Sequence, residues 1–324
     1  MAELHQDLVV FDGLIVSRWS RGVFEDMRRG GLTAANCTCC VWEGFQATMD
    51  NIAAWKRWFR EHADLIVPVR TTADIARAKR DGRTGIALGF QNVSAFEDRI
   101  EYVELFKELG VGIAQLAYNT QNLVGTGCYE SHDGGLSDFG RDVVAEMNRV
   151  GMMCDLSHVG PKTSEDAIRV SKQPVCYSHC LPAGLKAHPR NKSDEQLRFI
   201  AERGGFVGVT MFPPFLRQGT AATVDDYVEA IDYVVRVAGE DCVGIGTDFT
   251  QDHDRGFFDW ITHDKGTGRK LTEFGDIVNP AGIQTIGELP NLTAAMARAG
   301  WPEAKIRKIM GENWLRVLRA VWGA

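Results

Sequence analysis

The chain has 324 residues, 44% of them hydrophobic, and its 36 basic and 43 acidic residues give a net charge of −7. This composition supports a large core and excludes an intrinsically disordered chain, while the lack of a basic block argues against nucleic acid as a partner. No apolar run is long enough to cross a membrane and no signal peptide is recognisable, so we expect a soluble, cytoplasmic protein.

Short apolar runs alternate along the chain with longer amphipathic runs. Eight strands are predicted in chain order, over residues 8–16, 31–42, 84–92, 111–119, 152–158, 174–180, 206–212 and 242–249. Helices are predicted between most of them, over 49–65, 100–110, 136–151, 163–171, 193–205 and 224–239. The helix over 136–151 has Ser137 as its expected N-cap and Gly151 just past its end.

Strand–helix alternation of this kind indicates a parallel sheet with right-handed crossovers. Eight repeats predict an α/β fold of the (β/α)8 TIM type, forming a single domain over 1–324. The alternative is an open doubly wound sheet, although no strand–GxGxxG–helix or Walker pattern supports one. We expect 250–288 to be a long loop or insertion after strand eight, and 289–324 to hold the closing helices.

Polar residues stand at the predicted carboxyl ends of several strands. They are Gln91, Tyr118, His158, His179 and Asp248. A barrel brings such residues to one mouth, where two histidines and a carboxylate suit a divalent ion such as zinc or iron. For either histidine alone, the alternative is a hydrogen-bonded core residue. Arg190, just before a predicted helix, is either a clamp for a substrate carboxylate or a solvated loop charge.

The cysteines include a C-x-C-C cluster at Cys37, Cys39 and Cys40, which lacks the second cysteine pair of a zinc finger. We interpret these three residues as buried strand positions. A thiolate ligand from Cys37 or Cys39 is the less favoured alternative.

Several separated stretches resemble the renal (membrane) dipeptidase family of zinc peptidases. The stretches are GLSDFGRDVVAEMNRVGMMCDLSHVG, PVCYSHC, HPRNKSDEQLRFIAERGGFVGV, VGIGTDF and the C-terminal MGENWLRVLRAVW. The resemblance implies a metallo-dependent-hydrolase-like (β/α)8 barrel, usually a homodimer, that hydrolyses dipeptides at a two-zinc centre. It implies that His158 and His179 are ligands of the second metal and that Arg190 binds substrate. It also implies that Asp248 handles the proton of the catalytic water.

The sequence departs from the family at four of these chemical positions. Family members begin with D-G-H-x-D, whose His and Asp bind the first metal, whereas this chain has DGLIV, with Leu14 and Val16. The metal-bridging Glu of the family falls at Gln91, and a histidine over the substrate falls at Tyr118. Two close cations need anionic ligands to offset their repulsion, so we predict at most one metal. Its expected site is His158 and His179 with Gln91, and Asp248 is either a further ligand or the proton shuttle. Zinc, iron or manganese is the expected ion.

We therefore expect a dipeptidase-like metallohydrolase that cleaves an amide-type bond in a small, carboxylate-bearing substrate. Asp248, Arg190 and Tyr118 are the predicted catalytic residues, and Arg190, Tyr118 and Asn119 are expected to contact the substrate. Two alternatives stay open. One is a non-peptidase enzyme that uses the same scaffold on a small amino-acid derivative, and the other is a catalytically degenerate binding protein.

Overall fold

The computed structural model describes residues 2–323, and within that range it has nine β-strands that pair in parallel. The strands are β1 (Phe11–Ile15), β2 (Ala34–Cys40), β3 (Ile66–Pro68), β4 (Thr84–Phe90), β5 (Val111–Gln115), β6 (Met153–Asp155), β7 (Cys176–Cys180), β8 (Phe206–Val209) and β9 (Val243–Ile245). Eight of them follow one another around the sheet in the order β1-β2-β4-β5-β6-β7-β8-β9. The short β3 pairs with the beginning of β4, ahead of β5, which pairs with its end.

The sheet closes on itself through main-chain hydrogen bonds between the first strand and the segment that follows β9. The amide of Asp248 donates to the carbonyl of Leu14 at 3.0 Å, and the amide of Val16 donates to the carbonyl of Phe249 at 2.9 Å. An open doubly wound sheet would leave these edges unpaired. The structure therefore confirms the predicted (β/α)8 barrel and excludes the open-sheet alternative.

Thirteen α-helices surround the barrel within the described residues. They are α1 (Ala2–Asp7), α2 (Arg21–Arg29), α3 (Phe45–Glu61), α4 (Thr72–Arg80), α5 (Glu101–Leu109), α6 (Asp138–Val150), α7 (Pro161–Val170), α8 (Asp194–Glu202), α9 (Val224–Ala238), α10 (Arg255–Ile261), α11 (Leu289–Arg298), α12 (Glu303–Arg307) and α13 (Asn313–Trp322), and a π-helical turn, Lys308–Glu312, joins α12 to α13. Across residues 2–323, none of the helices has the length and apolar character needed to span a bilayer.

Side-chain caps fix several helix starts. Ser137 accepts a hydrogen bond from the amide of Gly140 at 2.9 Å at the start of α6, and Gly151 ends the helix with φ of 70°, as predicted. The sequence-based prediction missed β3, α1, α2 and α4, and it described 250–288 as a long loop or insertion without a helix, whereas that segment contains α10. It also extended strands beyond their last paired residues. Tyr118 and Asn119, which it placed in a strand, lie in the loop after β5.

Helix α13 packs against the barrel opposite the predicted mouth. Trp314 is fully buried, packs between the tilted rings of Phe11 and Phe206 and donates to the carbonyl of Ile245 at 2.8 Å. The ring fits because β1 has glycine at position 13, where a Cβ would lie 2.5 Å from the indole. This plug leaves the other end of the barrel for the polar residues.

Candidate functional site

The structure brings four of the predicted strand-end residues to one small cavity. Gln91, Tyr118, His158 and Asp248 line a space of about 20 Å³ together with Val16 and several aromatic residues. His179 adjoins it through its contact with His158. The carboxyl ends of parallel strands meet at this end of the barrel, which explains how residues distant in sequence converge.

The two histidines face each other through their Nε2 atoms, which are 3.0 Å apart. His158 follows β6 and stacks on the ring of Tyr118, with centroids 4.1 Å apart, while His179 is part of β7 and is fully buried. The amide of His158 donates to Gln115 Oε1 at 3.1 Å, and the amide of His179 donates to Ser157 Oγ at 3.0 Å. These two hydrogen bonds fix the backbone of each histidine and so the position from which its ring projects.

Neighbouring side chains fix the proton of each imidazole on Nδ1. Asn119 Oδ1 lies 2.7 Å from Nδ1 of His158, and an amide oxygen can only accept, so that nitrogen carries a proton. Ser178 Oγ lies 2.7 Å from Nδ1 of His179 and uses its own proton on Asp155 Oδ2 at 2.5 Å, so it too accepts. Both Nε2 atoms are consequently left with lone pairs that point at each other.

Charge and burial keep these rings neutral. Desolvation lowers the pKa of His158 and of His179 well below the usual value, and the nearby Arg190 cation lowers both further. Two neutral imidazoles with Nδ1 held by second partners are the usual arrangement of histidine metal ligands. Their 3.0 Å separation suits two ligands of one ion, since zinc–nitrogen distances are about 2.0–2.1 Å.

Apart from Asp248, the described side chains around the histidines offer no charged ligand for a second ion. Leu14 and Val16 are buried hydrocarbons, and Gln91 uses its amide nitrogen to donate to Thr38 Oγ1 at 3.1 Å. Burial raises the pKa of the Cys37 and Cys39 thiols, which disfavours the thiolate form that would bind a metal. Within residues 2–323 no group of three or more His, Cys, Asp and Glu side chains is arranged to hold an ion.

Asp248 is a buried carboxyl group at the mouth of the barrel. It follows β9 with φ of 62° and is 8% exposed. Burial raises the pKa of its carboxyl to about 7, and the Arg190 cation opposes part of that rise. A carboxyl with this pKa can accept and release a proton near neutral pH.

Arg190 is fully buried rather than exposed to solvent at the mouth. Its two terminal nitrogens donate to the carbonyls of Ser157 at 2.6 Å and of His179 at 2.8 Å, and its Nε–H has no partner among the described residues. No described carboxylate forms an ion pair with it. The guanidinium also lies over the ring of Phe215, 5.5 Å from its centroid, and it does not line the small cavity. A buried cation without an ion pair favours negative charge nearby, as its effect on the pKa of Asp248 shows.

Sequence reasoning missed the polar contacts behind the histidines. Asp155 accepts hydrogen bonds from the hydroxyls and amides of Ser157 and Ser178. It thereby connects the two histidine-bearing segments, and the side chain of Asn119 contacts His158 rather than facing the cavity. The available signal was the repeated Ser-His dipeptide, at 157–158 and 178–179.

Comparison with known sequences gives one family. Residues 21–262 and 272–323 match the profile of the membrane dipeptidase family, peptidase family M19. Curated relatives include an uncharacterized dipeptidase of Schizosaccharomyces pombe, 31% identical over 75% of this chain, and dipeptidase tcpJ of Claviceps purpurea, 30% identical over 85%. The chain spans only 54% and 60% of the lengths of these two proteins.

Solved structures match over nearly the whole chain. An amidohydrolase from Pseudomonas aeruginosa is 67% identical with a TM-score of 0.99, covering 100% of this chain and 99% of its own. A metallopeptidase from Rhodobacter sphaeroides, solved with a phosphinate mimic of the dipeptide L-Ala-D-Ala, is 23% identical with a TM-score of 0.81 and covers 98% of this chain and all of its own. At that identity the second match shows the shared fold alone.

Proposed function

Because the chain belongs to the membrane dipeptidase family, we propose that it is a metallohydrolase that cleaves an amide-type bond in a small, carboxylate-bearing substrate. The proposed substrates are dipeptides and acylated amino acids. The observation that supports this proposal most directly is that the Nε2 atoms of His158 and His179 lie 3.0 Å apart with their lone pairs free. The carboxyl of Asp248 lines the same small cavity as His158.

The two imidazoles fit one divalent ion, most simply zinc, with iron and manganese as alternatives. His158 and His179 would hold it, with Gln91 as the third predicted protein ligand. A divalent ion at such a site acidifies water and polarises a carbonyl group. No second ion is proposed, because Leu14 and Val16 offer no lone pairs.

The remaining chemistry falls to side chains of the mouth. Asp248 would take a proton from the attacking water on its carboxylate and pass it to the leaving amine, as its pKa of about 7 allows. Tyr118, 5% exposed, keeps its phenol protonated because burial raises its pKa, so it can donate a hydrogen bond to the substrate. Arg190 would favour the substrate carboxylate through the field of its buried charge, since its side chain does not line the small cavity.

Activity tests this proposal through a matched pair of variants. We expect protein supplied with zinc, iron(II) or manganese to hydrolyse a panel of dipeptides and N-acyl amino acids, and Asp248→Asn to lower kcat/KM by about 10²–10⁴-fold. Asparagine tolerates the left-handed backbone at this position. Asp252→Asn is the control, since Asp252 shares that conformation, with φ of 64°, but is exposed. Hydrolysis of no substrate in the panel, or equal effects of both variants, would contradict the proposal.

Metal content gives an independent test. We expect about one metal equivalent per chain by elemental analysis and its loss in His158→Ala and in His179→Ala. His132→Ala serves as the control because His132 is exposed. Two equivalents per wild-type chain would exclude the single-ion site, and metal retained by both variants would place the ion elsewhere.

A second candidate is a non-peptidase enzyme acting on an amino-acid derivative, which the changes at Leu14, Val16, Gln91 and Tyr118 favour. Metal bound at one equivalent with no amide hydrolysis would support it, and ligand binding that is indifferent to His158→Ala would instead indicate a binding protein. We also propose a homodimer, from the family resemblance, and a cytoplasmic location. The latter is supported by eight cysteines that are all free.

A further inference from the structure

We propose that the mouth extends into an aromatic cavity that receives an aromatic ring of the substrate. We use this name for the space between β1, β2, α3 and α10 whose walls include Trp19, Trp55, Trp58, Phe257 and Trp260. The inference rests on the proposed function for the identity of the ligand as a substrate, but the binding that it predicts can be measured without catalysis.

The aromatic cavity adjoins the candidate site. It has a volume of about 320 Å³, against about 20 Å³ for the space beside His158. Val16 and Phe257 line both spaces, so the two meet at these side chains. The space beside the histidines is too small for a dipeptide, and any larger substituent must extend beyond it.

The walls suit a flat, uncharged ring. Trp55 is 1% exposed and packs against Trp19 and Trp58 with ring centroids 4.8 and 5.1 Å apart, which holds the indoles in fixed orientations. On the opposite wall, Phe257 is stacked on the ring of His253 at 3.5 Å. Offset and edge-to-face contacts with such walls favour an aromatic guest over an aliphatic one of similar size.

The charged groups at this cavity are already engaged or face solvent. Glu43 accepts hydrogen bonds from the amide of Val41 at 2.6 Å and from the side chain of Asn51 at 3.2 Å. Arg18 lies at the exposed rim, 3.9 Å from Asp254. The Nε2 atom of His253 is buried and has no hydrogen-bond partner among the described residues.

Val16 connects this cavity to the chemistry. Its buried side chain forms part of the wall of both spaces. An apolar group at this position does not hold a shell of water, so a ring of the substrate can pack against it.

Two uncleavable ligands test the proposal. N-(phenylsulfonyl)glycine and N-(methylsulfonyl)glycine share a carboxylate and a sulfonamide and differ in the ring. We expect the phenyl compound to bind at least about tenfold more tightly by calorimetry. It should also change the emission of the protein, because four of the eight tryptophans line the cavity. Affinities equal within twofold would overturn the proposal.

Filling the cavity gives the matched variant. Ala54 on α3 lines it, whereas its neighbour Ala53 is exposed and does not. We expect Ala54→Phe to remove the tenfold preference and Ala53→Phe to retain it, with equal loss in both variants contradicting the proposal. If Ala54→Phe does not melt cooperatively, Ala54→Leu replaces it. A chain that prefers the phenyl ligand but hydrolyses no amide would retain this inference and refute the proposed reaction.

Discussion

Two buried aspartates fasten neighbouring strands at the mouth without being available to a ligand. Asp12 in β1 accepts hydrogen bonds from the amide of Leu14 and from the amide and hydroxyl of Thr247, just after β9. Asp155 makes the equivalent contacts to Ser157 and Ser178, between β6 and β7. In both cases the carboxylate satisfies main-chain donors that would otherwise be buried without partners.

Asp12 makes stability depend on pH. Burial raises its pKa from 3.8 to about 6, so the folded protein retains a proton that the unfolded chain releases between these values. This contribution is complete below about pH 4 and is lost as pH rises through 6. Asp12→Asn cannot titrate, and we expect its free energy of unfolding relative to wild type to improve by up to about 3 kcal/mol from pH 4 to pH 7.

Urea unfolding at several pH values measures this difference. Asp252→Asn is the control because Asp252 is exposed, and its difference from wild type should stay constant with pH. An Asp12→Asn curve parallel to that of wild type would show that another group causes the dependence.

At the residue scale, the sequence supports the histidines and Asp248 as candidates because strand ends are recognisable. It does not indicate which nitrogen of each histidine is protonated. That depends on Asn119 and Ser178, whose contacts arise only when β5, β6 and β7 are packed side by side. The burial of Arg190 was likewise hidden, because a loop arginine in sequence gives no sign that two carbonyls will enclose it.

At the scale of elements, the missed segments are short or weakly patterned. Strand β3 has three residues and ends in Pro68, which is too little for an alternation signal. Helix α2 has nine residues, as does the predicted helix α5, and its N-cap Ser20 was a signal that the prediction overlooked. The long amphipathic helices and the apolar strands were predictable because their periodicity extends over several turns or over a whole buried strand.

Helix α13 contributes to stability chiefly through Trp314. We expect Trp314→Ala to lower the free energy of unfolding by about 3–5 kcal/mol, because it empties a closed space between Phe11 and Phe206 and leaves the carbonyl of Ile245 without a donor. Trp322→Ala, at the end of the same helix, is the comparison. Trp322 is half-buried and should cost less in urea unfolding. An equal loss of unfolding free energy in both variants would show that Trp314 is no more important to stability than Trp322.

At the scale of the whole molecule, the proposed single-ion site can be tested by adding ligands to the barrel. We expect the triple variant Leu14→His, Val16→Asp, Gln91→Glu to bind a second metal equivalent, since it supplies lone pairs and two carboxylates on the empty side. In chelator it should melt below wild type, because it buries unpaired charge. Metal should then raise its melting temperature more than that of wild type.

Elemental analysis and melting curves with and without zinc check both parts. Val16→Asp alone is the control, because one carboxylate does not complete a site. Stoichiometry that stays at one equivalent in the triple variant would mean that more than three side chains separate this barrel from a two-ion site.

The hydrogen bonds that close the barrel at Leu14 and Val16 use only peptide groups. Main-chain hydrogen bonds of this kind do not depend on the side chain of either residue. Polar and apolar side chains at these two positions are therefore compatible with the same closure of the barrel. Substitutions at Leu14 and Val16 should therefore change which substrates the barrel accepts while its fold stays the same.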